Sequence, residues 1–391
     1  MAKMEEGTRD LDQQDEEPLE ERTLNLLKDS KIDQELSASK GKKGGGKKHK
    51  MKWMKKPMAM SETILEFFNE DLREAAIRYL SSYLVEKRVE DPDNYYRAGF
   101  LVFNSCGTMC ILLQEITSFY MKMDAGNLDA RCIKRLANVL TLFQSVAANE
   151  ETRQKFVDSR APNFLIPLIL FDSRIEVFDI IRSVALSVIG ILCQGREPRI
   201  LQWAIENDMV EACQTIIEIG SELNKVIALH ILEAILQDSI GISYICNPIR
   251  DILIKTLMET LDKLVNILAV EQVVSPRLLF HVVRCYAILC THHRGYNIVK
   301  NSLPDAITSG DFKELTEEFP VIRALLHQLL LSVGKVEEDQ VSCNQVHIHP
   351  DEGKKNKLAL CAKSPPSHNM LAPIYTGHNQ VILLPSSFEC Y

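Results

Sequence analysis

From Ser61 onward, apolar residues recur at helical spacing: Ile64, Phe67, Phe68, Leu72, Ala75, Ala76, Tyr79, Leu80 and Leu84 lie behind a serine with an acid beside it. That pattern predicts a helix start and the beginning of the folded part. Helical runs follow at about 97–122, 127–148, 151–158, 161–171, 176–194, 197–205, 208–219, 221–237, 248–270, 275–292, 294–302 and 317–334. They are separated by Asp124-Ala125-Gly126, Gly195, Gly220-Ser221, Asn247-Pro248, Ser275-Pro276 and Leu303-Pro304, residue types that end helices. Period-two alternation is nearly absent outside Gln345 to His349, so the body from 61 to 335 reads as all-α.

The runs repeat as well as alternate. A polar break recurs between apolar stretches at VAANEETRQKF, ILCQGREPRIL, AILQDSIGISYI and AILCTHHRGYNIV. From Asn149 to Gln194 to Gln237 to Thr291 the steps are 45, 43 and 54 residues, the first two within the ~40 to 47 of an armadillo or HEAT unit and the third longer. This predicts a solenoid whose units each bury one face on a neighbour, and a binding surface in place of a catalytic pocket. The longest step places about ten extra residues near Asn247 to Ser275, where a departure from uniform curvature is expected.

Composition changes the picture mainly at the ends. The chain of 391 residues is 46% hydrophobic and 25% charged, with a net charge of -8. That total hides two blocks: residues 1–37 hold 12 acidic and 5 basic side chains, and residues 40–56 hold 9 lysines and no acid. Residues 1–60 are too poor in apolar side chains to offset ordering entropy and are expected to be disordered. The lysines Lys42, Lys43, Lys47, Lys48, Lys50 and Lys52, with Trp53 among them, fit a nuclear import signal, a nonspecific RNA tether or a solvated linker. Residues 336–391, with their scattered prolines, are expected to form a mobile tail.

Cys106, Cys110, Cys132, Cys193, Cys213, Cys246, Cys285 and Cys290 fall in or beside apolar runs and read as small core hydrophobes. With no secretory signal at the acidic N-terminus, a reducing intracellular setting is expected. No apolar run approaches the ~18 residues of a membrane span.

Six ordered blocks carry a family resemblance: CGTMCILLQEI from 106, QSVAANEETR from 144, RSVALSVIG from 182, IGSELNKVIALHILEAIL from 219, SPRLLFHVVRCY from 275 and LPD from 303. Together they resemble the required-for-cell-differentiation family, the armadillo-repeat subunit of the CCR-NOT deadenylase complex. The resemblance implies a right-handed superhelix of armadillo repeats without catalytic activity. It further implies docking on the central scaffold protein of the complex, reception of peptides from RNA-associated repressors, including tryptophan-containing ones, and a place in cytoplasm and nucleus. Single-stranded nucleic acid is an alternative groove ligand in the family. Phe103 stands where the family carries a tryptophan, and the residues between Arg182 and Gly190 differ from its pattern, so the chain reads as a divergent paralogue.

In an armadillo unit the last helix lines the inner groove, which makes its polar positions the binding candidates. Arg277, His281 and Arg284 fall at i, i+4 and i+7, a spacing that shares one helix face. Arginine there suits a carboxylate, a phosphate or peptide carbonyls. Lys134, Asn138 and Thr141 make a second stripe, and Arg182, Lys225 and Arg294 extend the expected line into one electropositive groove. The competing reading for all of them is a solvated face with intramolecular partners.

Metal is not expected: Cys285, Cys290, His292 and His293 cluster in sequence, yet the chain has no CxxC pair, and cysteines five apart on a helix diverge by about 140°. No nucleophile, base and oxyanion site can be assembled, and no cofactor is implied. The expected function is a noncatalytic adaptor in messenger-RNA deadenylation. The rivals are a nucleic-acid-binding solenoid and an armadillo adaptor for import or ubiquitin ligation.

Overall fold

The computed structural model describes residues 59–88, 90–171, 176–271 and 274–335, together with two short strands near the C-terminus. The lysine block, the acidic N-terminus and most of the 336–391 tail lie outside the described residues. Helices α1 (Met60–Leu65), α2 (Glu70–Lys87), α3 (Pro92–Asn104), α4 (Thr108–Asp124) and α5 (Ala130–Ala148) open the body. Three-helix units follow: α6 (Glu150–Asp158), α7 (Ile166–Leu170) and α8 (Glu176–Gln194), then α9 (Pro198–Glu206), α10 (Met209–Ile219) and α11 (Glu222–Gln237). The next unit holds α12 (Ser239–Ile245), α13 (Asp251–Val270) and α14 (Pro276–Leu289). The last holds α15 (His293–Ser302), the short α16 (Asp305–Ser309) and α17 (Lys313–Glu318), and α18 (Pro320–Ser332). Strands β1 (Leu371–Tyr375) and β2 (Val381–Pro385) pair antiparallel, with Leu371 opposite Pro385; the sequence reading did not anticipate them.

The recurring polar break is where each third helix stops and the next unit starts. Asn149 ends α5, and its side chain accepts the Glu151 and Thr152 amides of α6. Asp238 accepts from Ile240 and Gly241 at the start of α12, and His292 accepts from Arg294 at the start of α15. These are N-caps, satisfying amides that a helix start leaves without partners. The first helices then pass very close over the preceding third helix. At Gly241 a Cβ would sit 1.9 Å from the Ile235 carbonyl oxygen, and at Gly295 2.3 Å from that of Leu289.

Third helices pack side by side in the order α3, α5, α8, α11, α14 and α18, and the second helices α7, α10, α13 and α16 stack in the same way. A single apolar core runs through the stack, from Met60 to Val333. This is an all-α armadillo-repeat solenoid. The ten extra residues of the long step lengthen the second helix: α13 has 20 residues where α10 has 11.

One predicted helix is two. The run at 97–122 breaks at Ser105 to Gly107, and α3 and α4 meet at 87°. Gly107 has φ +78, a left-handed conformation that glycine adopts at little cost. The Thr108 amide donates to the Ser105 carbonyl across the turn. A second break, at Asn69, separates α1 and its 3-10 extension from α2, and the Asn69 side chain accepts from Asp71.

Candidate binding surface

The polar side chains of the third helices mostly satisfy one another. Gln144 of α5 donates to Ser187 of α8 at 2.5 Å, Ser183 of α8 to Asn224 of α11 at 2.7 Å, and His281 of α14 lies 2.7 Å from Glu233 of α11. Each bond joins neighbouring units across the core. Buried polar groups need such partners, because an unpaired one costs about 1–3 kcal/mol.

This changes the expected groove. Arg182 is buried: it donates to the carbonyls of Ile169 and Phe171 and pairs with Asp179. It therefore ties the end of the second helix to the third and does not face a ligand. Arg294 does related work, reaching the Cys246 carbonyl and Asp251. His281 is buried against Glu233, and Arg284 lies 3.5 Å from the same carboxylate. Lys134, Asn138, Thr141 and Lys225 remain half-buried and Arg277 exposed; the Thr141 hydroxyl is turned onto its own helix at Ala137. Between them, every residue of α8 from 181 to 193 is buried. The electropositive line is thus interrupted at α8, leaving one polar stripe on α5 and separate cations on α11 and α14.

The densest electrostatic feature lies between α11 and α14. Glu233 is surrounded by His281, Arg284 and His230, whose Nδ1 stands 4.0 Å from the carboxylate and has no hydrogen-bond partner. Burial lowers the His230 pKa from 6.5 to about 4; Glu233 opposes the shift, while His281, Arg284 and Arg196 add to it.

Sequence periodicity missed two surfaces, the first of them apolar. At the first end of the solenoid Leu65, Phe68 and Leu72 are 67%, 47% and 37% exposed. The Phe68 ring lies against Gly107, so the face continues to Cys106 and Cys110, which are exposed and not core. The doubled aromatic was the available signal, since consecutive helical positions cannot both face one core. The second surface lies along the first helices, where a cavity of about 280 Å³ is lined by Gln202, Ile205, Glu206, Asp208, Ile240, Tyr244 and Arg250. The Arg250 guanidinium stacks 4.2 Å over the Tyr244 ring, beside the almost fully exposed Ile249.

Among the described residues no three potential ligands converge on a metal position, and no single helix is long and apolar enough to cross a membrane. His292 serves as a helix cap, and Cys285 is buried.

Residues 63–333 match the model of the cell differentiation family, Rcd1-like. The cell differentiation protein rcd1 of Schizosaccharomyces pombe is 28% identical over 286 residues, covering 72% of this chain and 95% of that protein. Protein CAF40 of Saccharomyces cerevisiae is 32% identical over 235 residues, covering 60% and 62%. Among solved structures, a designed armadillo repeat protein in complex with the peptide (KR)4 aligns with a TM-score of 0.46 at 16% identity, over 71% of this chain and 100% of that one. A computationally designed armadillo protein for modular peptide recognition aligns with a TM-score of 0.45 at 17% identity, over 70% and 98%.

Proposed function

The chain belongs to the Rcd1-like cell differentiation family, and on that premise we propose that it is a noncatalytic adaptor subunit of the CCR-NOT deadenylase complex. Its first end docks on the central scaffold, and a second surface, the cavity beside Tyr244 or the stripe of Lys134 and Asn138, receives short peptides of RNA-associated repressors. The observation that carries this reading is the apolar end face. A solenoid terminus is normally capped by polar residues, and contiguous exposed apolar surface marks an interaction site. Among the described residues nothing caps Leu65, Phe68 and Leu72 at this end. Holding scaffold and recruiter together raises the effective concentration of the deadenylase on a chosen message. Such a subunit works in cytoplasm and nucleus.

The test is capture of the scaffold by purified full-length protein and by a variant carrying Phe68→Asp and Leu72→Asp. Both positions are partly exposed, so the variant keeps its helical circular dichroism while capture falls at least about tenfold. Equal capture by a folded variant, or none by the wild type, overturns the proposal. Groove binding of single strands is the weaker reading because the cations are interrupted at α8; steep loss of peptide or RNA affinity with salt would favour it.

A further inference from the structure

Among the described residues the cysteines divide sharply. Cys132, Cys193, Cys213, Cys246 and Cys285 are buried and Cys290 half-buried, whereas Cys106 and Cys110 are exposed. Burial also pushes the thiols of Cys193, Cys213, Cys246, Cys285 and Cys290 above their ordinary range, which disfavours their thiolates. Among the described residues, fully exposed thiol is therefore concentrated at one place, a pair four residues apart at the start of α4.

The local backbone has the freedom to let them meet. Ser105 to Thr108 form a tight turn with Cys106 and Gly107 at its centre, closed by the Thr108 amide on the Ser105 carbonyl. Gly107 is left-handed, and no side chain caps the start of α4. Cys106 lies in the turn and Cys110 in the first turn of α4, so a disulfide between them requires the turn to rotate towards the helix. That adjustment falls on Gly107, the residue most tolerant of backbone rotation, and on an uncapped first turn.

We propose that Cys106 and Cys110 form a peroxide-reactive dithiol that closes to a disulfide and thereby alters the docking face beside Phe68. The gating clause rests on the scaffold-docking reading; the dithiol itself does not. In the first step one cysteine sulfur attacks hydrogen peroxide, giving a sulfenic acid and one water. The second thiol then attacks the sulfenic sulfur, forming the S–S bond and releasing a second water. Two electrons pass from the sulfurs to the peroxide, which the surroundings supply, and a dithiol reductant reverses the change. Closure draws Cys106 over the first turn of α4, moving the backbone that the Phe68 ring rests on.

The experiment treats the full chain with equimolar hydrogen peroxide, alkylates the remaining thiols and maps the peptides by mass spectrometry, in parallel with scaffold capture before oxidation, after it, and after reduction. The expected result is a Cys106–Cys110 link two mass units below the dithiol, with capture reduced about tenfold and recovered on reduction. A protein carrying both C106S and C110S should give an oxidised-to-reduced capture ratio near one, whatever its starting affinity. Absence of the link, or oxidation distributed over other cysteines, overturns the dithiol; the link with unchanged capture overturns the gating. If the reduced wild type captures no scaffold, the docking reading fails while the mass measurement still decides the dithiol.

Discussion

His230 makes a quantitative prediction about pH. Its side chain is 12% exposed and lies beside Glu233 and the ring of His281, with ring centroids 6.2 Å apart. Burial lowers its pKa from 6.5 to about 4, so the folded protein binds the proton more weakly than the unfolded chain does. Between those values the unfolded state holds more protons, and stability rises with pH. The contribution is full above about pH 6.5 and is lost as pH falls towards 4. At about 1.4 kcal/mol per pKa unit, the whole window amounts to about 3 kcal/mol, most of which is gone by pH 4.5. Carboxylates elsewhere titrate in the same range, so the measurement is a difference. Urea unfolding of the wild type and of His230→Phe, each at pH 7 and pH 4.5, removes the shared background, and phenylalanine keeps a ring in the site. The variant should gain about 2–3 kcal/mol on the wild type between the two pH values, or roughly 5–10 °C in midpoint temperature. Parallel stability curves for the two proteins would refute the account, showing that His230 is solvated in the folded state.

Three further outcomes follow from the packing. Gly241→Ala should cost about 3 kcal/mol in denaturant unfolding, because the new Cβ meets the Ile235 carbonyl oxygen at 1.9 Å and backbone must move. Gly190→Ala is its counterpart: within α8 a Cβ there makes only ordinary contacts at 3.7 Å, so the change should stabilise by about 0.5–1 kcal/mol in the same assay. Arg182→Met should cost about 3 kcal/mol with no separate effect on ligand binding, since it strips donors from the Ile169 and Phe171 carbonyls. By contrast, Arg277→Glu should leave the unfolding midpoint unchanged and weaken any anionic peptide measured by titration. Arg284 is unsuited to that test, because a glutamate there would face buried Glu233.

Hydrophobic spacing reveals which residues of a helix share a face, and it located nearly every helix of the solenoid because burial of that face is what forms it. It does not reveal what lies opposite. A third helix is enclosed by its own unit and by both neighbouring third helices, so even its polar side finds a protein partner one repeat away. Ser187 meets Gln144, Asn224 meets Ser183, and Glu233 meets His281. Arg182 and His281 read as groove residues for that reason: their angle on the helix was right, and their surroundings were supplied by residues 11 to 48 positions distant. The opposite error occurred at the end of the stack. Phe67 and Phe68 both counted as core in the periodic pattern, yet adjacent positions of the 3-10 turn that holds them point about 120° apart, and with no preceding unit among the described residues only Phe67 is buried while Phe68 stays exposed. Where a repeat protein carries more apolar residues at a terminus than its own helices can bury, the surplus is itself a statement about a partner. At Leu65, Phe68 and Leu72 that surplus was present in the sequence, but it became distinguishable from core once the fold showed that nothing of the described chain covers it.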